Sequence, residues 1–264
     1  MNVRLKDSMA RGVYVLPSLF TSMGLFAGFY SLIAAIQGRF ELAAWAIVAA
    51  AVFDMLDGRV ARLLHAETAF GAEYDSLCDM LSFGIAPAVL MYLWALVQLP
   101  AELHKLAWLG AFFLAACAAL RLARFNVQIG TQDKRYFQGL PTPGSALLIA
   151  TAVLYHEESG IAPMPWLWWG ASLVLAWLMV SGVRFISGKD IDLKKKHSVG
   201  MLVGMLIVIV LVTADPYRVP FAILLAYVLH GPMLSLWQQR KAARYRKARQ
   251  QARARRRQES EVED

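Results

Sequence analysis

Cysteine is scarce in this sequence: Cys78 and Cys117 are the only two in 264 residues, and both stand inside apolar segments. That excludes a disulfide framework or a thiolate metal site and leaves two small buried side chains. Charge is scarce too, at 17% of residues, and runs such as "MLVGMLIVIVLVTA" (201–214) carry none. A water-soluble chain with a large core would need a polar face on most of its helices, and these runs have none. No short apolar stretch followed by a small-residue cleavage site occurs near the start, so no cleavable signal peptide is expected and the first apolar stretch is expected to remain as a spanning helix. Internal repeats and a second soluble domain are also lacking.

What is there is apolar: 58% of residues are hydrophobic, mean hydropathy is +0.46, and long apolar runs recur along the whole chain. With about 20 apolar residues needed to cross a bilayer, the sequence predicts an all-α, polytopic integral membrane helical bundle of about eight transmembrane helices. They are placed near 14–37, 41–64, 70–98, 102–125, 143–156, 164–185, 198–214 and 217–237. Residues 1–239 then form a single transmembrane domain and 240–264 a basic cytoplasmic tail. Net charge is +8, but ten of the 27 Lys and Arg lie between Arg240 and Arg257. The remaining cations gather on alternate loops, in "RLARFNVQIGTQDKRYF" (121–137) and "RFISGKDIDLKKK" (184–196). The positive-inside rule therefore puts both termini in the cytoplasm. A bacterial inner (plasma) membrane is the expected location. The tail reads as a topogenic segment able to meet anionic headgroups; without interleaved aromatics it predicts no nucleic-acid partner.

Against this background "DMLDGRVARLLHAETAFGAEYDSLCD" (54–79) is dense in charge. On a helix ending near His65, Asp54 and Gly58 are four apart, as are Asp57 and Ala61, and Arg62 follows Gly58 by four, so these residues share one stripe. Beyond a turn at Ala66 and Glu67, Gly71, Asp75 and Asp79 repeat at the same interval. Folding the two helices into a hairpin sets Asp54 opposite Asp79 and Asp57 opposite Asp75, with the outer pair roughly 18 Å along the helix from the turn. Four convergent carboxylates in a partly dry site cannot all stay ionised alone. Two hard divalent cations, Mg²⁺ or Mn²⁺, resolve that and leave positions open for a phosphate or diphosphate, with Arg62 as a further clamp. Gly58, Ala61 and Gly71 leave the helix faces bare for close approach.

The pattern D-x2-D-G-x2-A-R-x8-G-x3-D-x3-D, filled by Asp54, Asp57, Gly58, Ala61, Arg62, Gly71, Asp75 and Asp79, resembles the signature of the CDP-alcohol phosphatidyltransferases. Within that family "FGAEYDSLCDMLSFGIAPAVL" (70–90), "ALRLARFNV" (119–127) and "YFQGLPTPGSA" (136–146) are similar to the membrane-integral phosphatidylserine synthases. "LPSLFTSMGLFAGF" (16–29) is similar to the family's first span, with Ser18 in place of an Asn. The resemblance implies transfer of a phosphatidyl group from CDP-diacylglycerol to L-serine within membrane lipid, at an active site facing the cytoplasm, by a homodimer. It implies metal ligation by Asp54, Asp57, Asp75 and Asp79, general-base action by Asp79, and nucleotide binding by Asp57, Gly58, Ala61, Arg62, Gly71 and Thr21. A zwitterionic acceptor needs a cation for its carboxylate, and Arg121, Arg124 and Asn126 are the candidates. Other acceptors remain open: glycerol 3-phosphate or inositol phosphate would want a denser basic pocket, and choline an aromatic one. A cation transporter is the competing class, but transporters place acids at broken helices in repeated halves.

Overall fold

The computed structural model describes residues 3–64, 68–128, 136–186 and 199–235. Nine α-helices run through them: α1 (Val3–Ile36), α2 (Phe40–Leu63), α3 (Ala69–Asp79), α4 (Ala86–Trp94), α5 (His104–Gln128), α6 (Thr142–Ser159), α7 (Pro165–Val180), α8 (Val199–Ala214) and α9 (Arg218–Ser235). A π-helical turn, Met80–Ile85, joins α3 to α4, so the third expected span is one helical run with a wider turn in its middle. The architecture is all-helical apart from one short antiparallel ribbon, β1 (Tyr136–Gln138) with β2 (Arg184–Ile186), which pairs Phe137 with Phe185. Each of the eight segments expected to span overlaps a helical segment, although the one expected at 164–185 runs past the end of α7 at Val180 into β2.

Among the described residues, four helical stretches are long and apolar enough to cross a membrane: Pro17–Ile36, Ala69–Gln98, Ala101–Gln128 and Arg218–Ser235. Pro165–Val180 and Leu202–Ala214 are apolar but shorter. α2 has the length, at 24 residues, and carries Glu41, Asp54, Asp57, Arg59 and Arg62. Of these, Asp54 and Asp57 belong to the site described below. The turn at Ala66 and Glu67, the loop cations Lys134, Arg135 and Lys194–Lys196, and the tail 240–264 lie outside the described residues.

Helices α1 and α2 make the most extensive contact in the molecule. Gly38, at φ +73°, reverses the chain between them, a conformation that side chains bearing Cβ rarely adopt. The seam is built from Ala34, Ala35, Ala43, Ala44, Ala50 and Ile47, all buried. In lipid, apolar residues gain nothing by leaving water, so helices associate through close packing, which small side chains allow. α6 covers α2, and α7 packs on α5, where the Trp169 indole donates to the Leu106 carbonyl at 2.9 Å. Trp94, Leu90, Met91, Ile149, Val153, Leu178 and Phe185 fill the centre.

Two features position the site. α3 lays its backbone against α1 and approaches α2 chiefly through side chains, so α1 backs the hairpin expected from the sequence. The π turn then locks to α1, where the Ser82 hydroxyl donates to the Gly24 carbonyl at 3.2 Å. Gly28 faces Ser82 so closely that a Cβ there would overlap it.

Candidate active site

The carboxylates arrive from two helices. Asp54 and Asp57 lie on the last turns of α2, and Asp75 and Asp79 on the last turns of α3, each pair spaced to share a helix face. α3 starts at this place because Thr68 caps it, its side chain accepting from the Gly71 amide at 2.9 Å. One carboxylate oxygen each from Asp54, Asp57 and Asp75 lies within 4.8 Å of the other two. Asp79 joins the group through Asp54, the two carboxyl groups being in contact. Asp57 is buried, lies against the Thr21 hydroxyl and the Gly58 amide, and keeps Oδ2 without a partner among the described residues.

An open cleft of about 270 Å³ adjoins the cluster. Asp57, Gly58 and Ala61 form one wall, Thr68, Gly71, Ala72 and Asp75 another, and Pro17, Ser18 and Thr21 of α1 the back. A second space of about 10 Å³, bounded by Thr21, Gly24, Asp54, Asp57, Asp75 and Asp79, lies among the carboxylates themselves. That is on the order of one water or one ion. A buried acid oxygen without a donor, in an all-oxygen set around so small a space, suits a hard divalent cation. The donor set is therefore compatible with divalent metal.

The cleft accordingly gathers Asp57, Gly58, Ala61, Gly71 and Thr21. Arg62 stands outside it, exposed, with Nε donating to the Gly58 carbonyl of its own helix at 2.7 Å. Sequence reasoning missed Pro17, Ser18, Thr68 and Ala72 as lining residues. Pro17, Ser18 and Thr21 stand three and four apart on one face of α1, a spacing that could have suggested them.

The three residues considered for the acceptor are dispersed. The Asn126 amide donates to the Ser76 hydroxyl at 2.9 Å, beside Asp75. Arg124 gives Nη1 to the Val180 carbonyl at 3.2 Å and Nη2 to Gln138, tying α5 to the end of α7 and to β1. Arg121 is buried and gives Nη1 to the Thr142 hydroxyl at 3.1 Å. A further pair missed from sequence, Ser22 with Tyr74 at 2.9 Å, bridges α1 to α3 next to Asp75.

Comparison with known proteins agrees with this geometry. The chain is 33% identical over 223 residues to a CDP-diacylglycerol–serine O-phosphatidyltransferase of Helicobacter pylori, covering 83% of this chain and 90% of that one. It is 33% identical over 245 residues to the protein of the same description from Mycobacterium leprae, covering 88% and 78%. An archaetidylserine synthase of Methanothermobacter thermautotrophicus is 31% identical over 189 residues, covering 69% and 73%. The profile of the CDP-alcohol phosphatidyltransferase family matches residues 14–178, which span every carboxylate and every lining residue of the cleft. On that match and on these relatives, the chain belongs to the CDP-alcohol phosphatidyltransferase family.

Proposed function

We propose that the protein transfers the phosphatidyl group of CDP-diacylglycerol to the hydroxyl of L-serine, giving phosphatidylserine and CMP. The observation that carries this reading is the convergence of Asp54, Asp57 and Asp75 beside a cleft walled by Gly58, Ala61 and Gly71. Bare helix faces admit a bulky nucleotide, and the acids stand where its diphosphate would lie. Relatives described as serine phosphatidyltransferases, from Helicobacter pylori and Mycobacterium leprae, support serine as the acceptor.

Asp57, Gly58, Ala61, Gly71 and Thr21 hold the cytidine end of the donor, with Arg62 at the rim. Asp54, Asp57, Asp75 and Asp79 would hold two divalent cations, Mg²⁺ or Mn²⁺, which would neutralise the diphosphate and the departing CMP. Asp79 takes the proton of the serine hydroxyl; a carboxylate beside cations is a weak base, so it works by position more than by basicity. The new oxygen–phosphorus bond replaces the phosphoanhydride bond, and CMP carries away the displaced oxygen. Arg121 meets the acceptor, and Arg124 and Asn126 of the same helix hold the acceptor side in place.

The protein is an integral membrane enzyme of about eight spans. Both termini and the active site face the cytoplasm of a bacterial inner membrane, as the placement of Lys and Arg supports, and the resemblance to the family supports a homodimer. Purified protein given CDP-diacylglycerol and Mn²⁺ will release CMP with L-serine and not with glycerol 3-phosphate, inositol phosphate or choline. Release only with one of those acceptors would reassign the substrate, and no release with any of them would overturn the enzyme reading.

A further inference from the structure

Arg121 is buried to 9% exposure, yet its Nε has no hydrogen-bond partner among the described residues. A guanidinium left partly unsatisfied away from water is costly unless something else completes it. Its surroundings favour an anion. Nη1 is anchored on Thr142, the first residue of α6, an 18-residue helix whose N-cap position, Pro141, offers no side-chain acceptor. First-turn amides have no acceptor within their own helix, and the helix dipole adds positive potential there. Pro143 contributes no amide, which leaves those of Thr142 and Gly144.

The other side is closed by α9, which lies beyond the region matched by the family profile. The Tyr227 ring lies beside Gly144, whose Cβ position is 3.6 Å from the Tyr227 Cε1 atom. α9 is seated by two residues one turn apart: Tyr227 rests on the Phe185 ring at 5.7 Å, and Gly231 faces Phe185 where any Cβ would overlap it. Tyr227 is half-buried, and both it and Asp79 are near enough to Arg121 to interact with its charge.

We infer that the first turn of α6, with Arg121 and Tyr227, forms the subsite for the carboxylate of the amino-acid acceptor. This rests on the serine-transfer reading and adds to it a named carboxylate receptor, completed by a residue outside the family's matched region. Arg121 Nε, the α6 amides and the Tyr227 hydroxyl are the donors. Asp79 lies on the side from which the acceptor hydroxyl must lose its proton. Arg124 and Asn126, whose polar groups are engaged with Val180, Gln138 and Ser76, are positioning residues.

The test is CMP release from CDP-diacylglycerol by the full-length protein in detergent with Mn²⁺. Tyr227→Phe keeps the ring on Phe185 and removes one hydrogen bond to a charged group, so KM for serine should rise about ten- to a hundredfold with kcat nearly unchanged. In the unaltered protein, 3-hydroxypropionate should compete with serine and ethanolamine should not, since only the former carries a carboxylate. Tyr227→Phe should weaken inhibition by 3-hydroxypropionate in proportion to the change in serine KM. An unchanged KM in Tyr227→Phe, or equal competition by ethanolamine, overturns the subsite while leaving serine transfer intact. Absence of CMP release with serine in the unaltered protein overturns both.

Discussion

At the scale of single residues, the account turns on carboxylates that are close but differently employed. Asp79 is in contact with Asp54 and stands apart from the tightest group of three, as suits a proton acceptor more than a primary ligand. Asp79→Asn should lower the rate of CMP release by about 10²–10⁴ while leaving the melting temperature and part of the donor binding intact; near-normal turnover would remove its role as base. The Asn126–Ser76 hydrogen bond holds α5 to α3 beside Asp75. Asn126→Ala and Ser76→Ala should each weaken catalysis, and a double-mutant cycle should return a coupling of about 1 kcal/mol; additive effects would show that the pair does not position Asp75. Asp54, Asp57, Asp75 and Asp79 were legible in the sequence because helical periodicity puts residues three or four apart on one face. The engagement of Arg124 was not, because its partners Val180 and Gln138 lie 56 and 14 residues away, and no local pattern announces them.

At the scale of elements, the site depends on how α3 is held. Local spacing predicted two facing helices, and it cannot report that α1 inserts behind both. The π turn at Met80–Ile85 was equally hidden, since it is fixed by the packing of Ser82 on Gly24 and Gly28 rather than by any propensity of "MLSFGI". Such turns recur beside functional positions, and this one begins at the residue after Asp79. Gly28→Ala should therefore lower stability by about 1–3 kcal/mol through overpacking and reduce turnover along with it. Gly170→Ala, on α7 with nothing within 4 Å of the added methyl, is the control and should do neither. Equal melting temperatures for the two variants would refute the interlock.

At the scale of the whole molecule, the exposed apolar surface is the dominant fact. Phe26, Phe29, Ile36, Trp108, Phe112, Leu120, Leu167 and Trp177 are all exposed, as are the described apolar side chains of α8 almost throughout. Patches of that extent are not tolerated in water and are ordinary in lipid. Length and hydropathy made the all-helical membrane architecture legible, and among the described residues four stretches are long and apolar enough to cross. Orientation rests on the cations: a cysteine introduced in the tail by Ser260→Cys should react with a membrane-impermeant thiol reagent only after the cytoplasmic side is opened, and labelling of intact cells would reverse the topology. Chelation should abolish CMP release without unfolding the helices, and added Mn²⁺ or Mg²⁺ should restore it; full activity in chelator would exclude a metal at the acids.

The central claim is that Asp54, Asp57, Asp75 and Asp79 together hold divalent cations that receive the donor's diphosphate. Anomalous diffraction from crystals of the protein grown with Mn²⁺ and CDP-diacylglycerol tests it most directly. The account predicts two manganese peaks among these four carboxylates, with the diphosphate bound to them and the cytidine in the cleft walled by Gly58, Ala61 and Gly71. Manganese bound elsewhere, or a diphosphate lying away from these aspartates, would contradict it.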